Sequence, residues 1–217
     1  MTFEEAAAIP EAALIAVQGI RDKGQVQPGQ QVLINGAGGG AGMFAVQLAK
    51  LYGAEVNGVD HTEKLDFLRS LGADHVIDYT QEDFTKNGNQ YDLILDVVAY
   101  RSVFAYKRAL RPNGSYFMVG GSVATMFQIV LLGPWMRSKK ICVLAVQPNP
   151  KDLVYLTELC EEGLVVPLID RRYPLREVAL ALRYLGEGHA KGKVVITVEQ
   201  NDNTEYNPEH SSALRLS

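Results

Sequence analysis

Five glycines fall within seven residues, Gly36, Gly38, Gly39, Gly40 and Gly42, and a carboxylate, Asp60, follows eighteen positions after the last of them. Glycine lets the backbone turn tightly and approach a ligand closely. Where a helix follows directly, its free N–H groups and the positive end of its dipole attract a pyrophosphate. An acid about 20 residues further on accepts hydrogen bonds from the hydroxyls of an adenine ribose. The chemistry these residue types suit is therefore the holding of a dinucleotide. A turn that merely joins two elements would not need so many glycines.

Side chains that could break bonds are harder to find. His61 follows the acid, His75 begins a strand, His189 sits in a surface loop and His210 in the tail, so none of the four histidines is a candidate catalyst. Cys142 and Cys160 lie apart, each in an apolar periodic stretch, which suits buried thiols in a reducing compartment and gives no zinc site. We therefore name no catalytic residue and no metal ligand.

The elements that must position the glycines and Asp60 read as a β-α-β unit. An apolar run at 32–34 enters the turn, Phe44, Leu48 and Leu51 recur at helical spacing, and a second apolar run at 56–59 ends on Asp60. Upstream, 2–23 reads as helix, with Thr2 and Glu5 spaced as a capping box, a second segment starting at Pro10, and Gly24 as the stop. Downstream, Thr62 caps a helix that Gly72 ends, and 76–79 is a short strand with Tyr79 at its tip. A strand at 91–98 is apolar enough to be buried on both faces; a helix at 103–110, a turn at Pro112-Asn113-Gly114, a strand at 115–119 and Gly120-Gly121 follow. Residues 123–136 carry many large apolar side chains and read either as a helix packed on the sheet or as a lobe facing substrate or a second subunit. A sixth strand at 139–146, a helix opened by Asn149-Pro150 and stopped by Gly163, a strand around 165–169, a helix at 175–185 and a last strand at 194–198 complete the order. This alternation predicts the fold class α/β, a doubly wound parallel sheet. The polar, aperiodic tail at 199–217 is expected to be disordered.

Composition narrows the partners. At 217 residues, with 47% hydrophobic and 21% charged residues, the chain can bury one large core, or one domain plus a lobe. A net charge of −4 leaves no broad basic surface, so neither nucleic acid nor an anionic membrane is an expected partner. The N-terminal residues lack the build of a signal peptide, and the most apolar stretch is too short to span a bilayer, so a cytoplasmic location is expected.

Four segments carry a family resemblance: Asn-Gly-Ala-Gly-Gly-Gly-Ala-Gly at 35–42, Phe-Leu-Arg-Ser-Leu-Gly-Ala-Asp-His-Val-Ile-Asp-Tyr at 67–79, Asp-Leu-Ile-Leu-Asp-Val-Val at 92–98 and Gly-His-Ala-Lys-Gly-Lys-Val-Val-Ile at 188–196. In this order they resemble the medium-chain dehydrogenase/reductases, and within them the zinc-independent, quinone oxidoreductase-like branch. The resemblance implies a Rossmann domain and an NAD(P)-dependent oxidoreductase that moves hydride between nicotinamide and a carbonyl, alcohol, quinone or activated alkene. Carried over by position, Gly39, Gly40, Ala41 and Gly42 would lie under the pyrophosphate, Asp60 and Lys64 at the adenine ribose, and Tyr79 near the adenine. Val98, Val119, Gly120 and Gly121 would line the nicotinamide side. Lys64 also reads as a surface lysine at a helix start, and Tyr79 as packing. Asp60 favours NAD because its charge repels a 2′-phosphate, while Lys64 and Arg69 leave NADP open.

One departure is large. Members of the resembled family carry, before the β-α-β unit, a substrate domain that supplies most residues around the reacting carbon, and this chain starts at the helix joining that domain to the cofactor domain. We therefore expect an interdomain helix at 1–24, a Rossmann domain at 25–150, and C-terminal helices and strands left from a truncated second domain at 151–198. The strands at 165–169 and 194–198 would then present unpaired edges and an apolar face, so that either the chain is a fragment of a longer protein or another copy covers them, and a homodimer is expected. Three functions are compatible with this reading: the cofactor-binding portion of an oxidoreductase acting on a small molecule, a non-catalytic dinucleotide-binding module or redox sensor, and a structural subunit that keeps the fold.

Overall fold

The computed structural model describes residues 1–136 and 139–198, so the tail expected to be disordered lies outside the described residues. The chain opens on the anticipated capping box. The Thr2 hydroxyl accepts from the Glu5 N–H and the Glu5 carboxylate accepts from the Thr2 N–H at the head of α1 (Phe3–Ala8). After Pro10 the helix resumes as α2 (Ala12–Val17) and widens into a π-helical stretch, Gln18–Lys23. Gly24 does not make the turn: it stays right-handed at φ −73, and Gln25, at φ 49, reverses the chain. Gly24 is required for room, since a Cβ there would stand 2.5 Å from the Gly19 carbonyl oxygen.

Six strands form one parallel sheet: β1 (Gln31–Asn35), β2 (Glu55–Asp60), β3 (His75–Asp78), β4 (Tyr91–Asp96), β5 (Leu110–Met118) and β6 (Lys140–Val143), in the order β3-β2-β1-β4-β5-β6. The order reverses between β1 and β4, which opens a crevice beyond the carboxyl ends of those strands. β4 ends at Asp96, two residues sooner than its apolar run predicts, because the Val98 N–H turns back to the Asp96 carboxylate at 3.1 Å. β5 starts sooner than expected: Leu110 already pairs with Tyr91, and the Pro112-Asn113-Gly114 turn is a bulge within the strand, with Asn113 at φ 65, before the register resumes at Leu93 and Ser115.

Helices cover both faces. α2 with the π-helical stretch that follows it, α3 (Gly40–Leu51) and α7 (Pro150–Glu161) bury Val17, Ile20, Phe44, Leu48 and Leu156 on one side, together with Leu68 of α4 (Leu65–Ser70). α5 (Val103–Ala109) and α6 (Val123–Leu132) bury Tyr106 and Ile129 against Phe84 and Tyr116 on the other. A helix packed on the sheet is thus the answer for 123–132, yet it buries only Thr125 and Ile129. Val123, Phe127, Val130, Leu131 and, in the 3-10 turn Gly133–Trp135, Trp135 remain exposed, the last by 82%.

Two local expectations are corrected. Thr62 does not cap the helix leading to Gly72: its hydroxyl donates to Asp78, and the His61 ring accepts from the Glu63 N–H at the head of the 3-10 turn Thr62–Lys64. The strand expected around 165–169 lies at β7 (Ile169–Pro174), because the Gln47 amide of α3 takes both backbone groups of Val166, donating to its carbonyl at 3.1 Å and accepting its N–H at 2.8 Å. β7 forms a two-stranded parallel sheet with β8 (Lys193–Thr197), connected through α8 (Val178–Gly186), and the outer edge of each strand stays unpaired among the described residues.

Candidate functional site

β1 delivers the chain to the crevice at Asn35, and the glycines then act in different ways. Gly36 has φ +80, and a Cβ on it would stand 2.5 Å from Val98 Cγ2. The N–H groups of Gly36 and Ala37 donate to the Val59 carbonyl at 3.0 and 3.1 Å, tying the turn to β2. Gly39 donates to the Gly36 carbonyl, and Met43 to that of Gly39. A Cβ on Gly42 would overlap the Gly36 carbonyl oxygen, so only glycine lets α3 start this close to the turn. The N–H groups of Gly40, Ala41 and Gly42 have no acceptor among the described residues. They are the donors that the first turn of a helix leaves unpaired.

Asp60 faces this turn rather than solvent. One carboxylate oxygen accepts from the Gly38 N–H at 2.8 Å and the other from the His61 N–H at 2.8 Å, with Lys64 Nζ 3.6 Å away. Acid and lysine are both buried, so the surface reading of Lys64 does not apply: its stem lies over Gly38, where a Cβ would stand 2.8 Å from Lys64 Cδ. A carboxylate offers about four acceptor positions. Two are engaged by hydrogen bonds here, with Lys64 at ion-pair distance, which leaves Asp60 able to brace the turn and still accept from a hydroxyl.

A cavity of about 390 Å³ opens between these groups, lined by Asn35, Gly36, Gly39, Asp60, Lys64, Tyr79, Val97, Val98, Tyr100 and Gly188. Of the residues expected at a cofactor, Gly39, Asp60, Lys64, Tyr79 and Val98 line it, and Gly40, Ala41 and Gly42 open α3 immediately beyond Gly39. Val119, Gly120 and Gly121 do not line it. They sit at the tip of β5, where Val119 donates to the Asp96 carbonyl, Gly120 accepts from the Ala99 N–H, and a Cβ on Gly121 would overlap Ala99. Tyr79 is half-exposed, and burial together with the Asp60 charge pushes its hydroxyl pKa up.

Two groups of residues here were missed by sequence reasoning. Beneath the cavity, Asp96 is fully buried and accepts from Asn35 Nδ2 at 2.7 Å, from the Tyr116 hydroxyl at 2.9 Å and from the Val98 N–H. Burial raises the Asp96 pKa, while these bonds to the charged form oppose that rise. Tyr116 stacks on Tyr106 with ring centroids 4.2 Å apart, and the Tyr106 hydroxyl accepts from the N–H groups of Tyr100 and Arg101. An asparagine and an aspartate ending two otherwise apolar strands were the signal for this network. The second group comes from the far end of the chain. Gly192 donates to the Gly38 carbonyl at 2.9 Å, and Lys193 lies across the start of α3, where a Cβ on Gly40 would stand 2.9 Å from its Cδ and 3.8 Å from its Nζ. Burial lowers the Lys193 pKa, with Glu11 the charge opposing it. Only a fold that returns residues 188–193 to the first turn makes this lysine visible.

Among the described residues no three His, Cys, Asp or Glu side chains form a group that could hold a metal ion. Cys142 and Cys160 are free thiols whose pKa values burial pushes up. No described helix is long and apolar enough to cross a membrane.

Comparison with known proteins gives consistent matches. The family model for a zinc-binding dehydrogenase matches residues 71–196. The chain is 29% identical over 201 residues to the chloroplast envelope quinone oxidoreductase homolog of Arabidopsis thaliana, covering 88% of this chain and 61% of that protein. It is 34% identical over 200 residues to the 2-methylene-furan-3-one reductase of Solanum lycopersicum, covering 90% of this chain and 47% of that protein. The solved quinone oxidoreductase from Coxiella burnetii superposes with a TM-score of 0.83 at 30% identity, over 92% of this chain and 62% of that one. The chain thus spans about half to three fifths of the length of these relatives.

Proposed function

This chain belongs to the zinc-binding dehydrogenase family, within the medium-chain dehydrogenase/reductases, and on that premise we propose that it is the part of a zinc-independent oxidoreductase that holds a nicotinamide dinucleotide. The observation that carries the reading is the set of three unpaired N–H groups on Gly40, Ala41 and Gly42, beside a cavity whose floor carries Asp60. The residues fit such a group: donors and a helix dipole face an anion, Lys193 adds a cation, and Gly39 leaves room, since a Cβ there would meet nothing closer than 3.4 Å. Asp60 receives a ribose hydroxyl, and Tyr79 stands at the adenosine end. Val98, with Val119, Gly120 and Gly121 at the next strand tip, borders the nicotinamide side. Bound there, nicotinamide supplies hydride chemistry, and the chain's task is orientation and exclusion of water.

We assign NAD rather than NADP. Asp60 would repel a 2′-phosphate, and the Lys64 charge that could offset it is already directed at Asp60. The dinucleotide-binding part is 25–150, reached through the helical segment 1–24; within 151–198, α7 packs into the sheet's core while β7, α8 and β8 form a separate pair of strands and a helix. The substrate is a carbonyl, quinone or alkene, and the chain works as a homodimer in the cytoplasm. Support for the dimer is the exposed α6 face beside β6, an edge strand.

Titration with NADH, followed by nicotinamide fluorescence, tests the reading: saturable binding is expected, tighter than for NADPH, and absent in Gly42→Ala. No binding of either nucleotide at millimolar concentration overturns it. A second reading, a binding module or redox sensor without turnover, is favoured by the apolar cavity lining at Val97 and Val98, which offers no side chain to carry a proton. Reduction of a quinone or aldehyde by the purified chain with NADH would remove that reading.

A further inference from the structure

The dinucleotide crevice lies at the carboxyl ends of the parallel strands, and a second cavity, of about 620 Å³, lies at their amino ends. The sheet explains why it is there. On the face covered by α5 and α6, β1, β2 and β3 bury Leu33, Val59 and Ile77 in an apolar core. Two positions earlier on each strand, with the same side-chain direction, stand Gln31, Asn57 and His75, all of them polar. No helix covers them, because the crossover from β3 to β4 at 79–90 carries none. These three residues line the cavity together with Glu82 and Asn87 of the crossover and Tyr91 at the head of β4.

Most of its polar groups are already spent. Gln31 donates to Glu55 and accepts from Asn57 Nδ2 at 3.1 Å, and Glu82 accepts from Asn87 Nδ2 at 2.7 Å. The two basic side chains of the cavity are paired as well, His75 with Glu55 at 2.7 Å and Arg111 with Asp92 at 2.8 Å. Two groups are left over. The Asn57 side chain is 4% exposed, yet its carbonyl oxygen accepts from none of the described residues. Tyr91 is 1% exposed, and its hydroxyl is buried with no hydrogen-bond partner among the described residues. Asn87 and Asn89 come near that hydroxyl, but the Asn87 amide is committed to Glu82 and to the Asn89 N–H. A buried polar group left unpaired carries a cost and calls for a reason.

The chemistry of the leftovers says what fits. An amide carbonyl only accepts, whereas a phenol donates and accepts. Asn57 is on β2 and Tyr91 on β4, with β1 between them, so their backbones stand about 10 Å apart. A ligand that serves both carries hydroxyls on opposite edges of a compact body. An anion finds both basic groups already paired. A cation finds only Glu82, which is exposed and holds an ion weakly. Ile77 is the one aliphatic side chain in the lining, so an apolar ligand has little to bury against. We propose that this cavity is a second binding site, for a neutral ring polyol or monosaccharide that donates to the Asn57 carbonyl at one edge and bonds to the Tyr91 hydroxyl at the other. The cavity is of a size that takes small ligands, about 300–1,000 Å³.

The test follows the backbone amide signals of the full chain by NMR with four probes: myo-inositol and D-glucose as ring polyols, spermidine as a cation and citrate as an anion. Saturable shifts of the Gln31, Asn57 and Tyr91 amides are expected with a ring polyol at up to tens of millimolar, while the Gly40, Ala41 and Gly42 amides do not move. Tyr91→Phe is expected to weaken that polyol about fivefold, the loss of one hydrogen bond, without lowering the melting temperature, because its hydroxyl has no protein partner to lose. A hydroxyl that served only the fold would lower the melting temperature on removal and leave polyol affinity unchanged, which overturns the inference. So does the absence of saturable shifts at these amides with either ring polyol, or a response to spermidine or citrate alone. Each of these results leaves the dinucleotide reading standing, since that reading concerns the opposite ends of the strands.

Discussion

The turn after β1 and the outer face of α6 are both unfinished surfaces, and they are unfinished in opposite ways. At the turn the apolar groups are packed away: Val32, Ile34, Phe44 and Leu48 are buried, and what is left open is polar, three N–H groups with a lysine across them. On α6 the backbone bonds to itself, and what is left open is apolar, with Phe127, Val130 and Leu131 all more than half exposed. A rigid place that lacks acceptors is matched by an anion. A helix face that lacks apolar cover is matched by another protein surface.

The largest effect is expected where the turn's support is removed. Asp96→Ala would leave the Asn35 amide, the Tyr116 hydroxyl and the Val98 N–H without their acceptor in a buried place, and should lower stability by about 3 kcal/mol or more in a denaturant titration. Asp96 also gives a pH test. Its raised native pKa means that the folded chain holds this proton more tightly than the unfolded one, so its contribution to stability is largest below the ordinary carboxylate pKa and falls as pH rises from there through the native value. Asp96→Asn, compared across acidic pH, should flatten that part of the profile.

Gly42→Ala comes next. Its Cβ meets backbone rather than a flexible side chain, and overpacking of that kind costs about 1–3 kcal/mol. We expect that loss in thermal unfolding, together with loss of NADH binding. The matched change on the other surface, Phe127→Glu, should leave monomer stability within about 0.5 kcal/mol and NADH binding untouched, while shifting sedimentation from dimer to monomer. If Phe127→Glu abolishes binding, the two regions are not independent.

Much of this contrast is legible in the chain because its signals are local. The strand, glycine turn, helix, strand and acid occupy thirty consecutive residues, so periodicity and spacing suffice for β1, α3, β2 and the place of Asp60. The capping box at Thr2 is likewise confined to one turn. What sequence reasoning missed depends on distant partners. β7 is displaced because Gln47, more than a hundred residues earlier, takes the backbone of Val166. Lys64 is buried because Gly38 gives its stem a place to lie, and Lys193 reaches the site only through the Gly192 bond to Gly38. Val119, Gly120 and Gly121 do not line the cavity because Val119 bonds to the Asp96 carbonyl, and Gly120 and Gly121 lie against the Ala99 backbone.

A smaller effect sharpens the polar side of the comparison. Lys193→Met should weaken NADH by about tenfold, in the range of a lost hydrogen bond to a charged group, without lowering the melting temperature, because burial already disfavours the ammonium. The pH dependence has a definite sign. Since the native pKa lies below the ordinary lysine value, NADH affinity should fall as pH rises through it, and Lys193→Met should remove that fall.

The central claim is that the first three N–H groups of α3 receive the pyrophosphate of a dinucleotide. Amide hydrogen exchange resolved by residue, with and without saturating NADH, addresses it directly. The account predicts that Gly40, Ala41 and Gly42 gain protection on binding while the exposed face of α6 does not change; unchanged exchange at those three amides in a chain saturated with NADH would contradict it.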